Sequence, residues 1–95
     1  MTEQALQKKI INWLVDNGYS VFKTISTNRR GISDIIACSP TGGFVAIEVK
    51  APGRLRNVSK LQQLYIKEIT ARGGVAFAAD SLETVVASLH FSFNA

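Results

Sequence analysis

The chain predicts an α/β fold, a mixed sheet flanked by helices, with elements in the order α-β-β-β-α-β-α. Three observations carry that expectation. A stripe of apolar residues at helical spacing opens the sequence. Three β-rich segments separated by turn signals follow, and the last two flank a loop short enough for an antiparallel hairpin. A second helical stretch then leads into a wholly apolar strand, and strand–helix–strand order implies a right-handed crossover and a parallel pair.

Each element has local support. Leu6, Ile10, Trp13 and Leu14 fall on one face of a helix over 2–17. Thr2 can cap it, Glu3 in the first turn suits the helix dipole, and Asn17-Gly18 supplies the stop. Residues 19–24 alternate and read as a strand. Residues 32–38 read as a second strand after the loop STNRRG, and 44–50 as a third after the turn cluster SPTGG. Ala51-Pro52-Gly53 breaks the chain and RLRN forms a basic loop. A helix over 59–72 is expected to bury Leu61, Leu64, Tyr65 and Ile69, and Gly73-Gly74 stops it. The apolar strand 75–79 is expected to be covered on both faces. A third helix over 81–89 has Asp80 or Ser81 as its cap. The tail HFSFNA is ambiguous, and as an extended segment it would place Leu89, Phe91 and Phe93 on one side.

Ninety-five residues make one domain, 1–95. Hydrophobic residues are 46 % and charged residues 19 %, which is a globular balance rather than a disordered one. No stretch approaches the ~20 apolar residues of a membrane span, and the polar start MTEQALQKKI is not read as a secretory signal. A single cysteine, Cys38, cannot form an internal disulfide, so a cytoplasmic setting is expected. Cys38 with the lone His90 offers no zinc cluster. The net charge is +4, and its distribution is uneven. Lys23, Arg29 and Arg30 lie in one acid-free stretch, and Lys50, Arg54, Arg56, Lys60 and Lys67 lie in another. Beyond Arg72 there is no Lys or Arg. Such a basic stripe fits a polyanion partner, against the plainer reading of a solvated face.

The chemistry concentrates in Asp34 of GISDIIA and in Glu48 and Lys50 of FVAIEVKA. In the third strand Val45, Ile47 and Val49 point one way, and Ala46, Glu48 and Lys50 the other. Asp34 lies on the hairpin partner. A half-buried carboxylate pair repels itself unless a cation sits between. Mg²⁺ does this well, since it takes carboxylate oxygens while keeping waters and phosphate oxygens as further ligands. Asp34, Glu48 and the Val49 carbonyl would make a half-shell, with Lys50 placed to orient or deprotonate an attacking water. The alternative is a cross-strand salt-bridge cluster on an exposed sheet face.

Taken together, G-I-S-D-I-I-A, G-G-F-V-A-I-E-V-K-A-P-G-R-L and S-K-L-Q-Q resemble the VRR-NUC (virus-type replication-repair nuclease) family of the PD-(D/E)xK superfamily. The resemblance spans residues 3–80 and departs at Ser33, where the family more often has Pro. It implies a restriction-endonuclease-like core and a Mg²⁺-dependent endonuclease, with Mn²⁺ able to substitute. It implies Asp34 and Glu48 as metal ligands and Lys50 as the catalytic lysine. It also implies an acid in the first helix, for which Glu3 is the candidate, and a glutamine in the second, for which Gln62 is the candidate. Glu3 precedes Leu6 and Ile10 by three and seven residues and so shares their stripe, though a first-turn Glu can equally be exposed. Gln62 with Ser59 also makes a capping box. Arg29, Arg30, Arg54, Arg56 and Lys60 are the expected phosphate contacts.

The substrate class implied is branched or structured DNA, a four-way (Holliday) junction in particular, in a bacterial or phage-infected cell. Two matched cuts at a junction call for a homodimer, for which the apolar side of an extended tail, Leu89, Phe91 and Phe93, is the expected surface, against the alternative that the tail packs on its own subunit. Flap cleavage, or a non-catalytic DNA-binding module of the same fold, are the rival readings.

Overall fold

A computed structural model of the chain describes residues 1–23 and 33–94. Arg29 and Arg30 lie outside the described residues. The first helix, α1 (Glu3–Asp16), starts where Thr2 Oγ1 accepts from Ala5 N and ends at Asn17, with Gly18 at φ +86° turning the chain. Strands β1 (Ser20–Lys23), β2 (Ile35–Cys38) and β3 (Phe44–Val49) form the expected antiparallel meander. The β2–β3 turn is closed by Ser39, whose Oγ accepts from Gly43 N at 2.8 Å. A short 3-10 turn, Leu55–Asn57, replaces the irregular loop expected for RLRN. Helix α2 (Lys60–Ala71) then crosses to β4 (Val75–Ala79), which pairs parallel with β3. Helix α3 (Leu82–Asn94) is capped by Ser81 Oγ, which accepts from Thr84 N.

The sheet order is β1-β2-β3-β4, so β4 is an edge. One face carries Ile35, Ala37, Val45, Ile47, Val49 and Ala79, all buried. Leu6, Ile10 and Leu14 of α1 and Val85 and Leu89 of α3 pack against it as the core. On the other face α2 lies over β4, where Ala46 and Ala76 pair, Ala78 follows on the same side, and the small side chains leave room for a close helix.

Three expectations are corrected. Leu61 and Leu64 are exposed, because α2 turns its Gln62–Tyr65–Ile66–Ile69 side inward instead. β4 is only half-buried over its first four residues, since nothing pairs with its outer edge among the described residues. The tail is not extended: α3 runs on through it, so Leu89 and Phe93, four apart, share the inner side and Phe91 points away. Phe93 meets Tyr19 edge-on at 6.4 Å and covers Gly43.

That last contact fixes a sequence requirement. A Cβ on Gly43 would lie 2.5 Å from Phe93 Cε1. Gly43→Ala is therefore expected to cost about 1–3 kcal/mol by overpacking. Thermal unfolding should show that loss, and adding Phe93→Leu, which removes the clashing ring atoms, should recover most of it.

Candidate active site

The candidate groups converge because β2 stops early. Continuing the β2–β3 register one residue past Ile35↔Ile47 sets Asp34 opposite Glu48. The backbone bends there instead of extending the strand, and Asp34 Oδ2 accepts from Val49 N at 2.9 Å. Lys50 N bonds Ala79 O on the β4 side, so by strand alternation the Val49 N–H and C=O both face the Asp34 side. The Val49 carbonyl thus opens toward the same corner as the two carboxyl groups.

Glu48 is 2 % exposed, and its Oε1 lies 3.8 Å from Lys50 Nζ. Its other oxygen, Oε2, is buried with no hydrogen-bond partner among the described residues. Burial pushes the Glu48 carboxyl up to about 8. The hydrogen bond and charge of Asp34 add to that rise, Lys50 opposes it, and Glu3 raises it further. This is no satisfied salt bridge: the single ammonium is outweighed by burial and by the neighbouring carboxylates. A divalent cation fits the set. It would give Oε2 a partner and relieve the Asp34–Glu48 repulsion. Among the described residues no group of three His, Cys, Asp or Glu side chains is arranged as a metal cage. Asp34, Glu48 and a carbonyl suit an ion that keeps several waters.

The remaining candidates are placed as follows. Glu3 is exposed at the start of α1, not on the buried stripe, yet its charge is felt at Glu48. Gln62 sits in the first turn of α2, whose amino end, by the crossover topology, opens at the same end of the sheet as Glu48 and Lys50. Its Oε1 accepts from Ser59 N at 2.8 Å and its own N–H bonds Ser59 Oγ, a complete capping box. Arg54, Arg56 and Lys60 are exposed on the segment that follows β3. That segment is anchored by Gly53 N, which donates to Asp80 Oδ2 at 3.1 Å. Two residues have places that local sequence signals do not show. Asp80 reads in sequence as a helix cap, whereas its carboxylate anchors an amide 27 residues away. Gln7, one turn after Glu3, is buried on α1, and its place on the Glu3 stripe was the signal available.

The raised Glu48 carboxyl has a sign that can be checked. The fold favours its neutral form, so this contribution to stability is complete below about pH 4.5 and is lost as pH rises through about 8. In chelator, the melting temperature should fall over that window more steeply for the parent than for Glu48→Gln. Asp34→Asn, which keeps an oxygen for Val49 N, should melt at or above the parent at pH 8. A large drop for Asp34→Asn would restore the salt-bridge reading.

A solved structure described as a VRR_NUC domain superposes with a TM-score of 0.81 at 23 % identity, covering 95 % of this chain and 97 % of its own, which establishes the shared fold. A protein of Acyrthosiphon pisum secondary endosymbiont phage 1, titled "Putative nuclease p44", is 31 % identical over 51 residues. The match takes in 54 % of this chain, and the chain spans about half the length of that relative, 55 %. The family model for the VRR-NUC domain matches residues 1–82, which include Glu3, Asp34, Glu48, Lys50 and Gln62. The chain belongs to the VRR-NUC nuclease domain family.

Proposed function

We propose that this chain is a divalent-metal-dependent endonuclease acting on branched DNA, with the four-way junction as its preferred substrate. The observation that carries the reading is the buried Glu48 Oε2, without a hydrogen-bond partner among the described residues, beside Asp34 and Lys50 in a chain of a nuclease family. Asp34, Glu48 and the Val49 carbonyl would hold the ion, Mg²⁺ or Mn²⁺, with Glu3 approaching from α1. The ion would lower the pKa of the attacking water and offset charge on the phosphate oxygens. Lys50, held near Glu48 by their ion pair, orients that water and takes up or relays its proton. Gln62 approaches the water or the phosphate from the amino end of α2, where the helix dipole favours an anion. In-line attack leaves a 5′-phosphate and a 3′-hydroxyl.

Arg54, Arg56 and Lys60 on the segment after β3, together with Arg29 and Arg30 earlier in the sequence, position the phosphate backbone without reading sequence. The exposed Arg54, Arg56 and Lys60, on the segment that leaves the end of β3, support DNA lying across that end of the molecule. No helix among the described residues is long and apolar enough to cross a membrane. A cytoplasmic place of action and a homodimer that delivers paired cuts complete the proposal.

Two experiments test it. Lys50→Ala and Glu48→Gln should each abolish Mg²⁺-dependent cleavage of a labelled junction while binding in Ca²⁺ survives. A Lys50→Ala protein that cuts at the parent rate would refute the assignment. Junction affinity should also fall steeply with salt, with a log–log slope of about −0.9 per neutralised phosphate. Arg54→Ala with Arg56→Ala should flatten that slope, and an unaltered slope would place the DNA elsewhere.

A further inference from the structure

The segment between β3 and α2 is exposed from Pro52 to Asn57, yet its backbone is hydrogen-bonded along its length. Arg54 N donates to Ala51 O at 2.9 Å, Asn57 N to Arg54 O at 2.9 Å and Val58 N to Leu55 O at 3.2 Å. Short turns open to water lie at the low-stability end of a fold. Two side chains from other elements close this run. At its start Gly53, at φ +81°, donates its N–H to Asp80 Oδ2 at 3.1 Å. At its end Gln63 Nε2 of α2 donates to Val58 O at 3.1 Å. Arg54 and Arg56 lie between the two ties.

We infer that Asp80 and Gln63 are positioning residues, which hold Arg54 and Arg56 ready for phosphate and so set affinity for the nucleic acid. The inference rests on the proposed action on DNA for its ligand. A segment that must be ordered on binding loses affinity to that ordering, and one ordered beforehand does not. The chemistry of Asp80 supports the assignment. It follows the last residue of β4, which runs parallel to β3, so it stands at the same end of the sheet as Glu48 and Lys50. A carboxylate there repels a polyanion. What it contributes to binding therefore comes through the amide it holds, and an ionised acceptor holds a backbone N–H more firmly than a neutral one. The catalytic set does not depend on that side chain. Lys50 N donates to Ala79 O at 2.9 Å, which carries the β3–β4 ladder past the end of β3 through backbone groups alone. Loss of the Asp80 carboxylate thus falls on binding and spares the chemical step.

The test is junction binding by the full chain in Ca²⁺ across a range of salt. Asp80→Ala should lower affinity about tenfold, and Gln63→Ala, at an exposed helical position, about threefold, the worth of one charged and one neutral hydrogen bond. Both should keep the parent's salt slope, because the arginine charges remain. Asp80→Asn, which keeps an oxygen for Gly53 N, should return affinity to within about twofold of the parent. In the Arg54→Ala, Arg56→Ala background Asp80→Ala should have no further effect, since nothing is left to position. In Mg²⁺, Asp80→Ala should raise KM about tenfold and leave kcat within about twofold. Amide exchange at Gly53 of the free protein should quicken about tenfold in Asp80→Ala and not in Asp80→Asn. Tighter binding by both Asp80 variants would make Asp80 a repelling charge and overturn the inference. An undiminished effect of Asp80→Ala in the arginine-free background would also overturn it. Should Asp80→Ala fail to fold, Gln63→Ala decides, and parent-like binding by that variant would overturn the inference. A parent that binds with this pattern of variants but does not cut would uphold the two positioning residues and overturn the proposed function instead.

Discussion

The hydrogen bond from Val49 N to Asp34 Oδ2 is the constraint on which the site depends. Strand β2 gives up its ladder one residue early, and the side chain of Asp34 takes the amide that a strand backbone would have taken. This brings a carboxylate against the end of β3, just past the last paired residues of the two strands. It also sets that carboxylate beside Glu48, which is buried by its place on a central strand. Neither group can relax away: Asp34 is held by the backbone of β3, and Glu48 is carried by a strand paired on both sides. The repulsion is therefore built in, and it adds to the rise that burial imposes on the Glu48 carboxyl.

The order of elements and the Asp34–Glu48–Lys50 set were legible in the sequence because they rest on local signals. Turn residues bound each strand, and strand alternation alone separates Glu48 and Lys50 from Val45, Ile47 and Val49. What was not legible is how elements meet. Helical period gives α2 an apolar stripe but does not say which part of it faces the sheet, so Leu61 and Leu64 were placed inside when they lie outside. The spacing Leu89–Phe91–Phe93 fits a strand as well as Leu89–Phe93 fits a helix, and five residues are too few to separate the two periods. Only the contact of Phe93 with Tyr19 and Gly43 decides for the helix. In the same way, the alanines of β4 read as a strand covered on both faces, whereas they serve the close approach of α2 at an edge.

The molecule separates its chemistry by direction. Apolar side chains from α1 and α3 close one face of the sheet, and α2 closes part of the other. Acidic groups gather at one end of the strands, and Arg54, Arg56 and Lys60 are exposed on the segment that leaves that end, while Lys50 alone stands among the acids. Lys50 is the exception because strand alternation gives it the same side as Glu48, and so it is the counter-charge beside that carboxyl.

The contact between Gly53 N and Asp80 Oδ2 has a mechanical meaning. Lys50 N is bonded to Ala79 O, one residue before Asp80. The chain from Lys50 to Gly53 is thus pinned at both ends to the junction of β4 and α3. A load applied to the arginines that follow is carried into this junction before it can reach Glu48. The segment behaves as a bracket mounted on the crossover strand: it can be pulled by a ligand without dragging the two carboxylates out of register.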